Sequence, residues 1–340
     1  MNRRTFFMGL VGAAGCTRDR RPRVNVYNWS AYVAPDTIPN FEREFGVRVR
    51  YGIYESNEEM LAKALTGNSG WDVVFPTHSY ITPMRENGLL SPLRHEWLDN
   101  LGNLEPHFHA PAWDTELRWS VPYMLGASGI LYQGSLDPAP RAWSDLWSPK
   151  LAGRITMLDD PAEVIGACLK KLGYSLNSVD PRQLDEARRE AIAQKKLLRA
   201  YLNAEVRDQV VAGDVLAAQL WATTAQQAID AAPALRFVYP AEGFGVYADC
   251  AVVLRESRRQ ELAHQFINYL LRPNVAADVV RASKTATANR AALALLPDAL
   301  RLSPTLFPSP ELFARGEWFA PLPAAGQRLR DRIWTEIKSA

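Results

Sequence analysis

Two α/β lobes joined by a pair of crossing strands are what this sequence predicts, and three observations carry the prediction. Strand-like and helix-like patterns alternate over the first third of the chain, and the alternation resumes in the middle after a Trp- and Pro-rich break. Two strongly apolar strands, residues 127–132 and 246–254, flank that second block. A chain of 340 residues also exceeds what one core comfortably holds, so division into lobes is the default at this length.

The elements follow in order. Residues 24–28 read as a strand, 36–45 as a helix stopped by Gly46, 47–51 as a strand and 57–65 as a helix. A buried strand at 72–75 and a helix at 80–87 closed by Gly88 complete the first block. Strands separated by helices of this length imply a parallel sheet covered on both faces. Residues 92–122 are looser, and 127–132 is the first crossing strand.

The second block opens with a strand at 154–158 and a helix at 161–172, with Asp159 and Asp160 as cap candidates and Pro161 at its first position. Residues 181–200 read as one charged amphipathic helix. A strand at 216–221, a helix at 225–231, a strand at 236–239 and the second crossing strand follow. The last ninety residues read as mostly helical and punctuated by Pro. The lobes are expected to comprise residues 22–126 with 248–297, and 127–247 with 298–340, with ligand groups at strand ends in the cleft between them.

Charge excludes one class of partner. The chain carries 39 basic and 37 acidic residues, a net +2, without the basic excess a nucleic-acid binder needs. Residues 1–21 read as a leader: Arg3 and Arg4 precede about ten apolar or small residues, too few for the ~20 that span a bilayer but suited to an export signal. Ala13-Ala14-Gly15-Cys16 is similar to a lipoprotein cleavage site, which makes Cys16 the candidate lipidation position. Cys168 and Cys250 sit in separate apolar runs and are expected as free buried thiols.

The familiar catalytic and cofactor patterns are missing. There is no GxxxxGK[ST] and no GxGxxG, so no cofactor is expected. His95-Glu96 starts like HExxH but has Asp at 99, and Gly126-Ala127-Ser128-Gly129 does not match GxSxG. What remains is a set of rings and acids at strand ends. Trp29, Trp221 and Tyr247 each lie at a strand–loop junction, and Tyr247 and Asp249 share one strand face. Asp160 and Glu163 are three apart at a helix start.

Bland readings exist beside these. The tryptophans could be core, Asp160 a helix cap, and Glu163 a favourable charge in a first turn. Asp249 interrupts an apolar strand, where a carboxylate needs a partner. Acids at two ends with aromatic walls between them suit a linear amine. Its ammonium groups need counter-charges on desolvation, and its methylenes gain about 0.8 kcal/mol each on burial.

Beyond residue 21, the chain resembles the bacterial periplasmic spermidine/putrescine-binding proteins, the soluble components of polyamine ABC importers. The resemblance rests on Tyr27-Asn28-Trp29-Ser30-Ala31-Tyr32, Tyr54-Glu55-Ser56-Asn57-Glu58, Asp72-Val73-Val74-Phe75-Pro76 and Trp143-Ser144-Asp145-Leu146-Trp147. Asp159-Asp160-Pro161-Ala162-Glu163-Val164, Asn268-Tyr269-Leu270-Leu271-Arg272-Pro273 and Gly316-Glu317-Trp318 continue it in order.

It implies a two-lobed type II periplasmic binding protein fold, a monomer that closes over a polyamine-like ligand and meets ABC permease subunits. It also implies a periplasmic or extracytoplasmic location with no catalysis, and membrane contact only through a lipid on Cys16. By position it places ligand contacts at Trp29, Ser30, Tyr32, Thr77, Ser79, Asp160, Glu163, Trp221, Tyr247, Asp249 and Thr285. Several positions depart from the family: Tyr247 replaces Trp or Phe, Thr285 a Tyr, Phe319 a Gln, and Ala31 stands where an acid is often found. Those losses of polar end groups suit a longer or less polar amine, or one with an uncharged end. The alternatives are a same-fold receptor for another cationic amine or amino-acid derivative, and a polyamine-sensing lipoprotein without a transport role.

Overall fold

The computed structural model describes residues 19–340, so the leader residues 1–18, with Cys16, lie outside them. Strands β1 (Arg23–Trp29), β2 (Arg48–Tyr54) and β3 (Val73–Val74) run parallel, with β1 between the other two. β1 is buried along nearly its whole length, as a strand covered on both faces must be. Helix α1 (Thr37–Phe45) ends where Gly46 takes φ 64° and returns its N–H to the Glu42 carbonyl. Helix α2 (Asn57–Ala64) starts on the Ser56 hydroxyl, which accepts from the Glu59 N–H. A short 3-10 turn, His78–Tyr80, leads into α3 (Ile81–Glu86).

β4 (Val121–Gln133) is twice the expected length and begins inside the stretch read as loose. Pro122 is accommodated at a register shift between Pro122 and Met124, where a missing N–H costs the ladder little. Then come β5 (Ile155–Met157), α4 (Pro161–Lys171), α5 (Pro181–Lys195) and β6 (Leu198–Tyr201). The sequence reading ran α5 on to residue 200. The helix instead stops at Lys195, because residues 198–201 pair in parallel with β5 and that pairing overrides local helical preference. α6 (Arg207–Val211), β7 (Ala217–Trp221), α7 (Ala222–Ala231) and β8 (Leu235–Val238) complete this half.

β9 (Phe244–Val253) returns antiparallel to β4, and both strands serve both halves. The first half of β4 and the second half of β9 border β3 and β10 (Ala286–Thr287); the second half of β4 borders β7 and β8. β11 (Gly316–Trp318) runs beside the start of β9. Between β9 and β11 lie α8 (Gln260–Leu270), α9 (Pro273–Ser283) and shorter turns.

The cores divide accordingly. Val26, Val73, Phe75, Val253 and Phe266 belong to one, and Ile155, Met157, Val164, Leu184 and Phe244 to another. Cys168 and Cys250 are free and buried on opposite sides of this divide. No described helix is long and apolar enough to cross a membrane.

Candidate functional site

One cluster forms at the carboxyl end of β1. Trp29 leaves the strand with its indole N–H donating to the Phe75 carbonyl at 2.8 Å, an acceptor that the Tyr54 hydroxyl shares at 2.6 Å. The Trp29 and Tyr54 rings stand 4.6 Å apart between centroids, tilted by 56°. The next residues turn through Ala31, whose φ of 58° places a non-glycine residue in the left-handed region. That turn points Tyr32 back so that its hydroxyl donates to Asp249 Oδ2 at 2.9 Å.

The second oxygen of Asp249 accepts from Thr77 Oγ1 at 2.8 Å. Thr77 is fixed by Asn57, which accepts from its N–H at 3.0 Å and donates to its hydroxyl at 2.9 Å. Asp249 is only 2% exposed. Burial pushes its carboxyl up to about 7, against the pull of the Thr77 and Tyr32 hydrogen bonds.

A second cluster forms where α4 starts. Asp160 caps that helix: Oδ1 accepts from the Ala162 and Glu163 N–H groups at 2.8 and 3.1 Å. The cap reading therefore holds for one oxygen of Asp160 and leaves Oδ2 available. Glu163, 5% exposed, accepts from the Trp221 indole N–H at 3.1 Å. Its carboxyl is raised by burial and then by the charge of Asp160, while Ser128 and Trp221 pull the other way. Asp160 is raised by burial too, and by its acidic neighbours Glu58 and Asp159. Among the described residues, no Lys, Arg or His is one of the groups that shift these two carboxyls or Asp249.

Tyr247 joins the clusters. It pairs across the ladder with Gly126, where a Cβ would sit 2.1 Å from the phenol ring, so only glycine lets the ring lie over β4. Burial raises its hydroxyl well above the ordinary phenol value, with further push from Asp249, Glu163 and Asp160. Its ring thus stands within electrostatic reach of all three acids.

The remaining predicted positions lie elsewhere in the arrangement. Ser30 is exposed in the turn, and Ser79 is half-buried in the 3-10 segment. Thr285 is fully buried, and its hydroxyl accepts from Thr223 Oγ1 at 3.3 Å, tying the start of α7 to the chain beyond α9. Sequence reasoning missed Asn57 and Gly126 as builders of the site. Neither carries a charge or a ring, and their roles arise from Thr77 and Tyr247, far off in the chain. It missed Ser128 as well, having weighed that tetrapeptide only as a nucleophile motif.

Two lobes, two shared strands and facing clusters at strand and helix ends define a two-lobed binding protein. The chain belongs to the bacterial extracellular solute-binding proteins, whose family profile matches residues 37–306. It is 33% identical over 311 residues to the spermidine/putrescine-binding periplasmic protein of Escherichia coli strain K12, covering 91% of this chain and 89% of that protein. It is 31% identical to a putrescine/cadaverine-binding protein of Pseudomonas aeruginosa, covering 97% and 96%. A solved structure titled as a spermidine/putrescine ABC transporter from Listeria monocytogenes superposes with a TM-score of 0.89 at 29% identity, over 93% of this chain and 98% of that one. The two-lobed α/β expectation thus agrees with the solved relatives.

Proposed function

We propose that this chain is an extracytoplasmic receptor that captures polyamines of the putrescine and spermidine class for an ABC importer. One observation carries the reading: Asp249 from one lobe and Glu163 from the other are buried carboxyl groups that no described Lys, Arg or His pairs with, and aromatic rings lie around them. A dication supplies the missing charge at both. Its ammonium groups replace lost hydration with acid contacts, and its methylenes pack on Trp29, Tyr247 and Trp221, where each cation–ring contact adds roughly 0.5–2 kcal/mol.

Because the acids come from both lobes, the ligand stabilises the closed arrangement over an open one, and closure is the signal the permease reads. The receptor works as a monomer, by binding and release rather than turnover, and a lipid on Cys16 would hold it at the membrane. The lobe division at residues 22–126 with 248–297, and 127–247 with 298–340, belongs to the same proposal. It is supported by the separate cores and by β4 and β9 serving both.

Calorimetric titration with putrescine, cadaverine, spermidine, spermine, lysine and arginine tests the reading. The expected result is micromolar or tighter affinity for at least one of the amines and none for the amino acids. Binding of lysine or arginine with no response to any amine overturns it.

A further inference from the structure

β9 changes its edge partner midway. β11 lies beside Phe244–Val246. Further on, the Cys250 N–H donates to the Pro76 carbonyl at 2.9 Å, and Thr77 bridges to Asp249. At the junction between these two borders the Ala248 N–H donates to Nδ1 of His78 at 3.2 Å, so an imidazole takes the place an edge carbonyl would fill. The other ring nitrogen, Nε2, lies 2.7 Å from the Phe319 carbonyl, just past the end of β11. A carbonyl only accepts and an amide N–H only donates, so Nε2 carries the hydrogen, Nδ1 is bare, and the ring is neutral.

The surroundings keep it so. His78 is 2% exposed, with its ring centroid 4.6 Å from that of Trp113 and 5.2 Å, edge-on, from that of Trp318. Burial lowers the imidazole from its ordinary 6.5 to about 4. Its chain neighbour Thr77 donates to Asp249 at 2.8 Å. Phe319, which it holds, lines the narrow space beside Glu163 together with Ser128, and the Phe319 ring packs on Gly245, where a Cβ would stand 2.6 Å away. Asn177 fixes the segment that carries Phe319, donating to the Trp318 carbonyl and accepting from the Ala320 N–H, each at 2.8 Å. One ring thus ties a donor of the Asp249 end to a wall of the Glu163 end, across the proposed division between the lobes.

Resting on the polyamine reading, we infer that His78 is a positioning residue for the amine site, a neutral clasp that seats Thr77 and Phe319 together so that both ends of the site present themselves in one alignment. A ring of similar size without nitrogens would still fill the space between Trp113 and Trp318. It would leave the Ala248 N–H and the Phe319 carbonyl without their buried partner. Thr77 would then lose its brace on the His78 side, and its hydroxyl would contribute less at Asp249.

A double-mutant cycle on the full protein tests this, with putrescine affinity read by calorimetry and folding by melting curves. His78→Phe is expected to weaken putrescine about tenfold and Thr77→Val about fivefold. Together they should cost about tenfold, rather than the roughly fiftyfold of independent sites. Nitrogen-15 NMR of the ligand-free parent protein needs no variant: His78 should carry its hydrogen on Nε2 and should not titrate between about pH 8 and pH 6. Additive losses in the cycle, or full putrescine affinity in folded His78→Phe, overturn the inference. So does a His78 that is charged or protonated on Nδ1, a result that decides the matter even where no His78 variant folds. Failure of the parent protein to bind putrescine or any other amine instead brings down the polyamine reading on which the inference stands.

Discussion

Asp249 has both oxygens held by hydroxyls, whereas Glu163 accepts a single indole N–H. Asp249 sits mid-strand on β9, and its donors are themselves anchored by Asn57 and Tyr123. Glu163 stands in the first turn of a helix beside another acid. The contrast teaches that one proposed ammonium site is preorganised and the other adaptable. A fixed carboxylate gives up little further freedom on binding, while a carboxyl held by one donor has more freedom to lose.

Removing charge at each end breaks the comparison most directly. Asp249→Ala should weaken putrescine binding by about 100-fold or more, close to 3 kcal/mol, and Glu163→Gln by roughly ten- to thirtyfold, about 2 kcal/mol. Calorimetry in which Glu163→Gln costs more than Asp249→Ala would reverse the ranking of the two ends.

Titration gives the next largest effect. The Asp249 carboxyl moves from 3.8 up to about 7 on folding, a raised value. Its neutral form therefore contributes stability in full below about pH 4, lost as pH rises through about 7. The ligand-free melting temperature should fall from pH 5 to pH 8. A cation needs the ionised form, so putrescine affinity should run the opposite way and drop about tenfold between pH 8 and pH 6. Asp249→Asn should weaken both trends and leave the part that belongs to Glu163, whose carboxyl is also raised, to about 8; pH-independent affinity in the parent protein would sink this account.

The smallest effect sharpens the picture of the anchored end. Tyr32→Phe removes one of the two donors to Asp249. It should cost about 0.5–1.5 kcal/mol of putrescine affinity, roughly three- to tenfold. Trp221→Phe, which takes the single donor from Glu163, should cost no more than that if the Glu163 end adapts, as paired titrations would reveal.

Much of this was legible in the sequence. Alternating periodicity located most of the strands and helices that build both lobes, and an acid inside an apolar strand singled out Asp249. The rest depends on pairing between distant segments. Residues 198–201 became a strand because β5 offered an edge, and Pro122 lies in a strand because β4 shifts register there. The support of Thr77 by Asn57 and the fit of Tyr247 over Gly126 are tertiary in the same sense, and no local pattern announces them.

The pairing of β4 with β9, from Val121 opposite Ala251 to Ala127 opposite Val246, joins the proposed lobes through a ribbon two strands wide. Such a ribbon bends about an axis lying across its strands far more readily than it stretches or slides, so travel of one lobe is a rotation. Groups borne on the ribbon itself, Tyr247 and Asp249, sweep the shortest arc; Glu163, out on α4, sweeps a longer one. On the proposed reading an arriving amine meets a nearly stationary post first and a swinging arm second, so the order of contacts follows from the leverage of the fold.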